Sequence, residues 1–114
     1  MLRIANISIT ERAAELLDRH RVLFKPRDSG DAFALTYISS FTNADGSGVE
    51  GFSPGYTPDS VSPVALGDMW ALAQPSGASE FLFMPRFVWS ASELYGIDIA
   101  SEVFQLFSIG PVTR

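Results

Sequence analysis

Glu80-Phe81-Leu82-Phe83-Met84-Pro85-Arg86-Phe87-Val88-Trp89 is the most apolar run in the chain. Phe81 to Met84 stand without alternation and are stopped by a proline, the pattern of a strand buried on both faces that ends at a turn. The run falls well short of the roughly 18 apolar residues that a membrane span needs. Burying Phe81, Phe83 and Trp89 would contribute about 1.5–3 kcal/mol each before entropy is subtracted. The reading is a central strand, Glu80 to Met84, that the remaining elements are built to cover.

The 114 residues fit a single domain, residues 1–114, that buries roughly two-thirds of its unfolded surface. With 46% apolar and only 18% charged residues, the chain is far from the disordered class and leaves apolar surface for a partner. It has no cysteine, which excludes disulfides, thiolate nucleophiles and cysteine-held zinc or iron–sulfur sites in this chain alone. No secretory leader is recognisable, and a cytoplasmic protein is the expectation. The net charge of −5 is uneven. Residues 1–27 carry six of the eight bases against three acids, a balance of +3, and residues 28–114 carry two bases against ten acids, a balance of −8. A body of that sign repels phosphate, so neither a nucleic acid nor a membrane surface is an expected partner. A basic head on an acidic body could dock on another copy or an acidic protein, although solvated helix and loop faces explain it too.

Outward from the central run, the pattern predicts an opening strand through Leu2, Ile4, Ile7 and Ile9. A helix from about Glu11 to Arg21 follows, with Thr10 as N-cap, Glu11 at the positive end of the dipole, and Ala13, Leu16, Leu17 and His20 on one face. Lys25 to Asp31 reads as a loop and Ala32 to Ser40 as a strand. Thr42 to Gly48 is a polar turn. Val49 to Tyr56 reads as an irregular edge strand or a functional loop, because two glycines and a proline spoil a central ladder. Thr57 to Gly67, with Pro58 and Pro63, reads as a connector. Asp68 to Ala73 and the central run form a hairpin around Gln74 to Ala78. A helical turn over Arg86 to Leu94, a strand Ile97 to Ala100, and a last strand Val103 to Ile109 complete the order.

This order resembles the HesB-like fold of the A-type, IscA-like iron–sulfur carriers. Ile9-Thr10-Glu11-Arg12-Ala13-Ala14 is similar to the family's I-T-x-x-A-A opening, and Gly48 to Tyr56 to its glycine-rich turn. Phe81 to Pro85 with Leu94 to Ile99, and Phe104 to Pro111, are similar to its later segments. The resemblance implies an α+β domain, a mostly antiparallel or mixed sheet with one N-terminal flanking helix. It also places the family's first cluster ligand at Val49. Valine cannot replace a thiolate, and no cysteine supplies the other ligands, so the expectation is a relative without cluster or other cofactor.

No catalytic set is expected. His20 is the only histidine and sits near a helix C-terminus, where the dipole favours a cation; it reads as structural or exposed. The acids Asp45, Glu50, Asp59, Asp68, Glu80, Glu93, Asp98 and Glu102 are dispersed, so no metal site is expected. Asp45-Gly46-Ser47-Gly48 reads as a turn. The candidate ligand-binding residues are Gly48, Val49, Gly51, Phe52 and Tyr56, which would line an apolar cleft beside the loop from Asn43 to Tyr56. The leading expectation is a non-enzymatic scaffold or protein-interaction domain, with a protein partner or a homo-oligomer. A small-molecule-binding domain using that loop is the alternative, and an accessory role in iron–sulfur assembly ranks below both.

Overall fold

The computed structural model describes residues 3–40, 42–50, 52–67, 69–86 and 93–112. Seven strands among these residues close into a barrel: β1 (Arg3–Ile9), β2 (Ala32–Ile38), β3 (Gly55–Val61), β4 (Ala71–Pro75), β5 (Phe81–Phe83), β6 (Tyr95–Ser101) and β7 (Leu106–Pro111). One helix, α1 (Glu11–Leu23), separates β1 from β2, and a 3-10 turn, Pro63–Ala65, follows β3. Around the barrel the order is β1-β4-β5-β2-β3-β7-β6.

The apolar run behaves as its composition requires. All three residues of β5 are buried, and β5 sits between β4, antiparallel, and β2, parallel. The hairpin with the preceding strand is therefore present, although β4 begins at Ala71 rather than Asp68, which lies outside the described residues. Inside, Tyr56, Phe81, Phe83, Phe107, Leu17, Leu35 and Ile97 are the largest fully buried side chains. The rings of Phe81, Phe83 and Tyr56 meet edge to face with centroids 6.0 and 6.3 Å apart, a geometry that satisfies the ring quadrupoles. A barrel of this strand number has an interior that side chains fill.

The closed barrel corrects the α+β expectation of an open HesB-like sheet with a flanking helix. Two pairings bring this about. β1 runs parallel to β4 through residues 3–7 and then passes its last residues to β6, at Ser8↔Gly96 and Ile9↔Ile97. On the other side β3 meets β7 at the pair Tyr56↔Phe107. Period-two alternation assigns faces to strands but carries no information about which strand each edge finds.

The elements were read with mixed success, and each difference has a cause. Thr57 to Val61 is the body of β3 rather than a connector, paired residue for residue with β2 from Ala32↔Val61 to Ile38↔Gly55. Pro58 is tolerated because, among the described residues, β3 makes no ladder pair with β7 beyond Tyr56, and a missing N–H costs little where no ladder bond is lost. The last strand begins at Leu106, not Val103, because residues 102–105 make the tight turn from β6. Gln105 adopts φ 54° there, a left-handed conformation uncommon outside glycine. The helical turn expected over Arg86 to Leu94 falls mostly on residues 87–92, outside the described residues.

The helix starts where its cap predicts: the Thr10 side chain accepts from Ala13 N–H at 3.3 Å. It runs two residues past Arg21. Ala13, Leu16 and Leu17 join the core, while successive contacts of α1 and its exit segment reach β6 through Arg12 and Asp98, β7 through His20 and Phe107, β2 through Phe24 and Phe33, and β3 through Arg27 and Asp59. The helix thus spans one mouth of the barrel, not a sheet face.

Gly55 is where β3 comes closest to β7. A Cβ there would stand 2.9 Å from Leu106 Cβ and 2.9 Å from the Phe107 carbonyl oxygen. Gly55→Ala should therefore cost about 1–3 kcal/mol, and Phe83→Ala about 3–5 kcal/mol. Both are read as lower denaturant midpoints at unchanged slope; a Gly55→Ala protein of wild-type stability would show that the seam is slack.

Candidate functional site

Of the five residues singled out in the sequence, the structure describes Gly48, Val49, Phe52 and Tyr56. Gly48 is exposed and bridges Thr42 at the base of a turn, Val49 is half-buried, and Gly51 lies outside the described residues. Phe52 stacks edge-on against Phe104, centroids 5.3 Å apart. Tyr56 is 2% exposed, and its ring packs inside the barrel against Phe83 and Tyr37. Its hydroxyl accepts from Arg86 N–H at 3.1 Å, and burial raises its pKa, an effect that the Arg86 N–H opposes. Among the described residues Tyr56 thus belongs to the barrel interior, and Phe52 meets Phe104. The polar turn is held by its own side chains: Ser47 Oγ donates to Asp45 at 2.6 Å, and Asn43 Nδ2 donates to Ser47 Oγ at 3.1 Å. Gly46 supplies the positive φ of 88° that the turn needs.

Charged groups meet instead where α1 joins the barrel. At its start, Arg12 grips Asp98 of β6 with two hydrogen bonds of 2.9 and 3.1 Å, Thr10 Oγ1 donates to the same carboxylate at 2.8 Å, and the Ile99 N–H donates at 2.8 Å. The Arg12 guanidinium, then the Thr10 hydroxyl and Ile99 N–H, hold the Asp98 carboxyl well below the usual range. A groove of about 470 Å³ runs beside this clamp, over Ser8, Gly96, Ser108 and Gly110. Its hydroxyl protons are already spent, Ser8 on Tyr95 O, Ser108 on Asp98 O and Thr10 on the Asp98 carboxylate. The clamp is structural: it fastens the first helical turn to β6.

The far end of α1 differs. Val22 and Leu23 are 84% and 76% exposed, side chains of a size that folding ordinarily covers. Arg19 and Lys25 flank them, and neither has an ion-pair partner among the described residues. A cleft of about 380 Å³ lies alongside, lined by His20, Leu23, Phe24, Lys25 and the 58–60 edge of β3. Arg27 closes its rim through a 2.7 Å ion pair with Asp59. The amphipathic pattern had placed His20 on the buried face but did not show that Val22 and Leu23, one turn on, would find no cover. The cue lay in helix length: two apolar residues past Arg21 extend the helix beyond the barrel it seals.

Among the described residues no polar or charged side chain is fully buried, and no three histidine, aspartate or glutamate side chains stand close enough to share a metal ion. Among the described residues no helix is long and apolar enough to cross a membrane. Comparison with protein families, with curated proteins and with solved structures finds no match for this chain.

The clamp sets an acid limit on stability. Because folding lowers the pKa of Asp98, its contribution is complete above the unfolded carboxylate value near 3.8 and is lost as pH falls below it. The side chain is 41% exposed, so solvent screening keeps the effect modest. Thermal unfolding between pH 5 and about pH 2 should show a shallower loss of Tm in Asp98→Asn than in the wild type, from a lower starting value. Thr10→Ala should cost about 0.5–2 kcal/mol at neutral pH, and parallel pH profiles for Asp98→Asn and wild type would remove the clamp from the account.

Proposed function

We propose that the protein is a non-enzymatic interaction domain that works by docking on another protein in the cytoplasm, through the exposed last turn of α1. The carrying observation is the pair Val22 and Leu23, apolar and open to solvent, between the cations Arg19 and Lys25, which have no ion-pair partner among the described residues. An apolar centre with a charged rim is the anatomy of a protein-binding patch. The cations fit a partner whose facing surface is acidic and apolar, and such complementarity speeds encounter and sets register more than it adds affinity.

The rest of the molecule supports this reading. The barrel interior is occupied by its own aromatic side chains, and the polar groups near the start of α1 are committed to one another. Ligand binding by the loop from Asn43 to Tyr56 gains no such support, since Tyr56 belongs to the core and Phe52 to a separate contact with Phe104.

Protein purified gently from its own host and examined by native mass spectrometry should carry a stoichiometric protein partner. The double substitution Val22→Glu, Leu23→Glu should weaken that complex by about 2 kcal/mol or more, roughly thirtyfold, without lowering Tm, because neither side chain is packed. Added salt should slow association. A partner retained by the double variant would move the interface elsewhere, and a bare monomer at every concentration tested would remove the proposal.

A further inference from the structure

Two charged residues of opposite sign stand on either side of the exposed apolar pair. Asp18 lies four residues before Val22, on the same helical stripe and about 6 Å back along the axis. Lys25 follows Val22 by three residues, just past the helix end at Leu23. Both are exposed, and neither has an ion-pair partner among the described residues. Arg21 is the one cation three or four residues from Asp18 on the helix. Its guanidinium is drawn instead over the Phe33 ring, 4.7 Å from the centroid, where it feels the charge of Asp18 without pairing with it.

The other bases of the region are engaged elsewhere. Arg12 and Arg27 hold Asp98 and Asp59, and Arg19 lines a pocket with Glu102 and Gln105 of the β6–β7 turn. Asp18, Val22, Leu23 and Lys25 are therefore a patch with an apolar centre, one free acid and one free base. A foreign partner of opposite charge needs only one sign on such a surface. A two-fold contact needs both, because the same patch must supply each half of every pair. About an axis through Val22, two copies of α1 cross antiparallel. Val22 and Leu23 then meet their counterparts, and Asp18 of each copy comes opposite Lys25 of the other.

We propose that the occupant of the docking face is a second copy of this chain, joined by an isologous contact with Val22 and Leu23 at the axis and reciprocal Asp18–Lys25 pairs at its rim. The inference rests on the docking reading above and supplies the acidic, apolar partner from the chain itself. Two aliphatic residues a side and two exposed ion pairs make a small interface, at the weak end of specific association. Half-dissociation is expected at roughly 10–100 μM.

Sedimentation equilibrium of the intact chain should show a monomer–dimer equilibrium in that range, and the amide NMR shifts of residues 18–25 should move on dilution. Asp18→Lys sets base against base at both ends of the contact, and Lys25→Asp sets acid against acid, so each variant alone should dimerise at least about tenfold more weakly. Mixed in equal amounts, the two variants should form a heterodimer of wild-type strength, since every facing pair is again of opposite sign. A mixture as weak as its components overturns the two-fold geometry. So does a wild-type dimer whose 18–25 amides stay still on dilution, which decides the matter if either variant fails to fold. A wild type still monomeric at about 1 mM overturns the second copy as occupant. The docking reading fails separately, by a host-protein complex that survives the double substitution Val22→Glu, Leu23→Glu.

Discussion

The pair Tyr56↔Phe107 is the joint on which the barrel closes. β2–β5 and β1–β6 share two ladder pairs each and the other neighbours more, whereas Tyr56↔Phe107 is the ladder pair between β3 and β7 among the described residues. Its geometry depends on Gly55, since any Cβ at that position meets the next strand at 2.9 Å. It also depends on the two side chains themselves, both among the largest that the core buries completely. Without the close approach the sheet would open along an edge, and the aromatic interior would meet water at a cost that grows with apolar area.

The helix follows from the same constraint. A sheet rolled into a barrel has mouths, and side chains at a mouth are covered from one direction less than those at the waist. α1 supplies that cover with Leu16 and Leu17, anchored at one end by Thr10 and Arg12 on Asp98 and toward the other by His20 beside Phe107. The two anchors differ in kind. The first is a charged, half-exposed clamp built from hydrogen bonds, and the second is an edge-to-face contact between the His20 and Phe107 rings. The apolar residues left over past the second anchor, Val22 and Leu23, are the ones open to solvent.

The basic head and acidic body of the sequence take on a more local meaning. Arg12 and Arg27 belong to the head, yet each is spent on an acid of the body, Asp98 and Asp59. Much of the asymmetry is therefore cancelled within the molecule by folding. What remains outward is the short stretch around Arg19 and Lys25, and its interest comes from the exposed Val22 and Leu23 between them. His20, read from the sequence as structural or exposed, packs edge-on against Phe107, and burial moves its pKa down although the helix dipole favours a cation at that end.

Local chemistry was legible in the sequence. Thr10 as a cap, the helical face of Ala13, Leu16 and Leu17, the fully buried run at Phe81 to Phe83 and the turn around Gly46 are each set by residues within a few positions of one another. Closure was not, because the partners β1 and β6, and β3 and β7, lie far apart along the chain and alternation assigns a face without naming a neighbour. Pro58 and its neighbours looked like a connector since a proline argues against a ladder, and the position is tolerable because, among the described residues, β3 pairs with β7 only at Tyr56. The grouping of Phe52 with Tyr56 rested on their nearness in sequence, whereas the start of β3 at Gly55 turns Tyr56 into the core and leaves Phe52 outside the strand. The sequence by itself determined the elements and their buried faces, through short-range sterics and side-chain polarity; the tertiary structure alone decided which edges met, and with them which apolar and titratable groups were left without a partner.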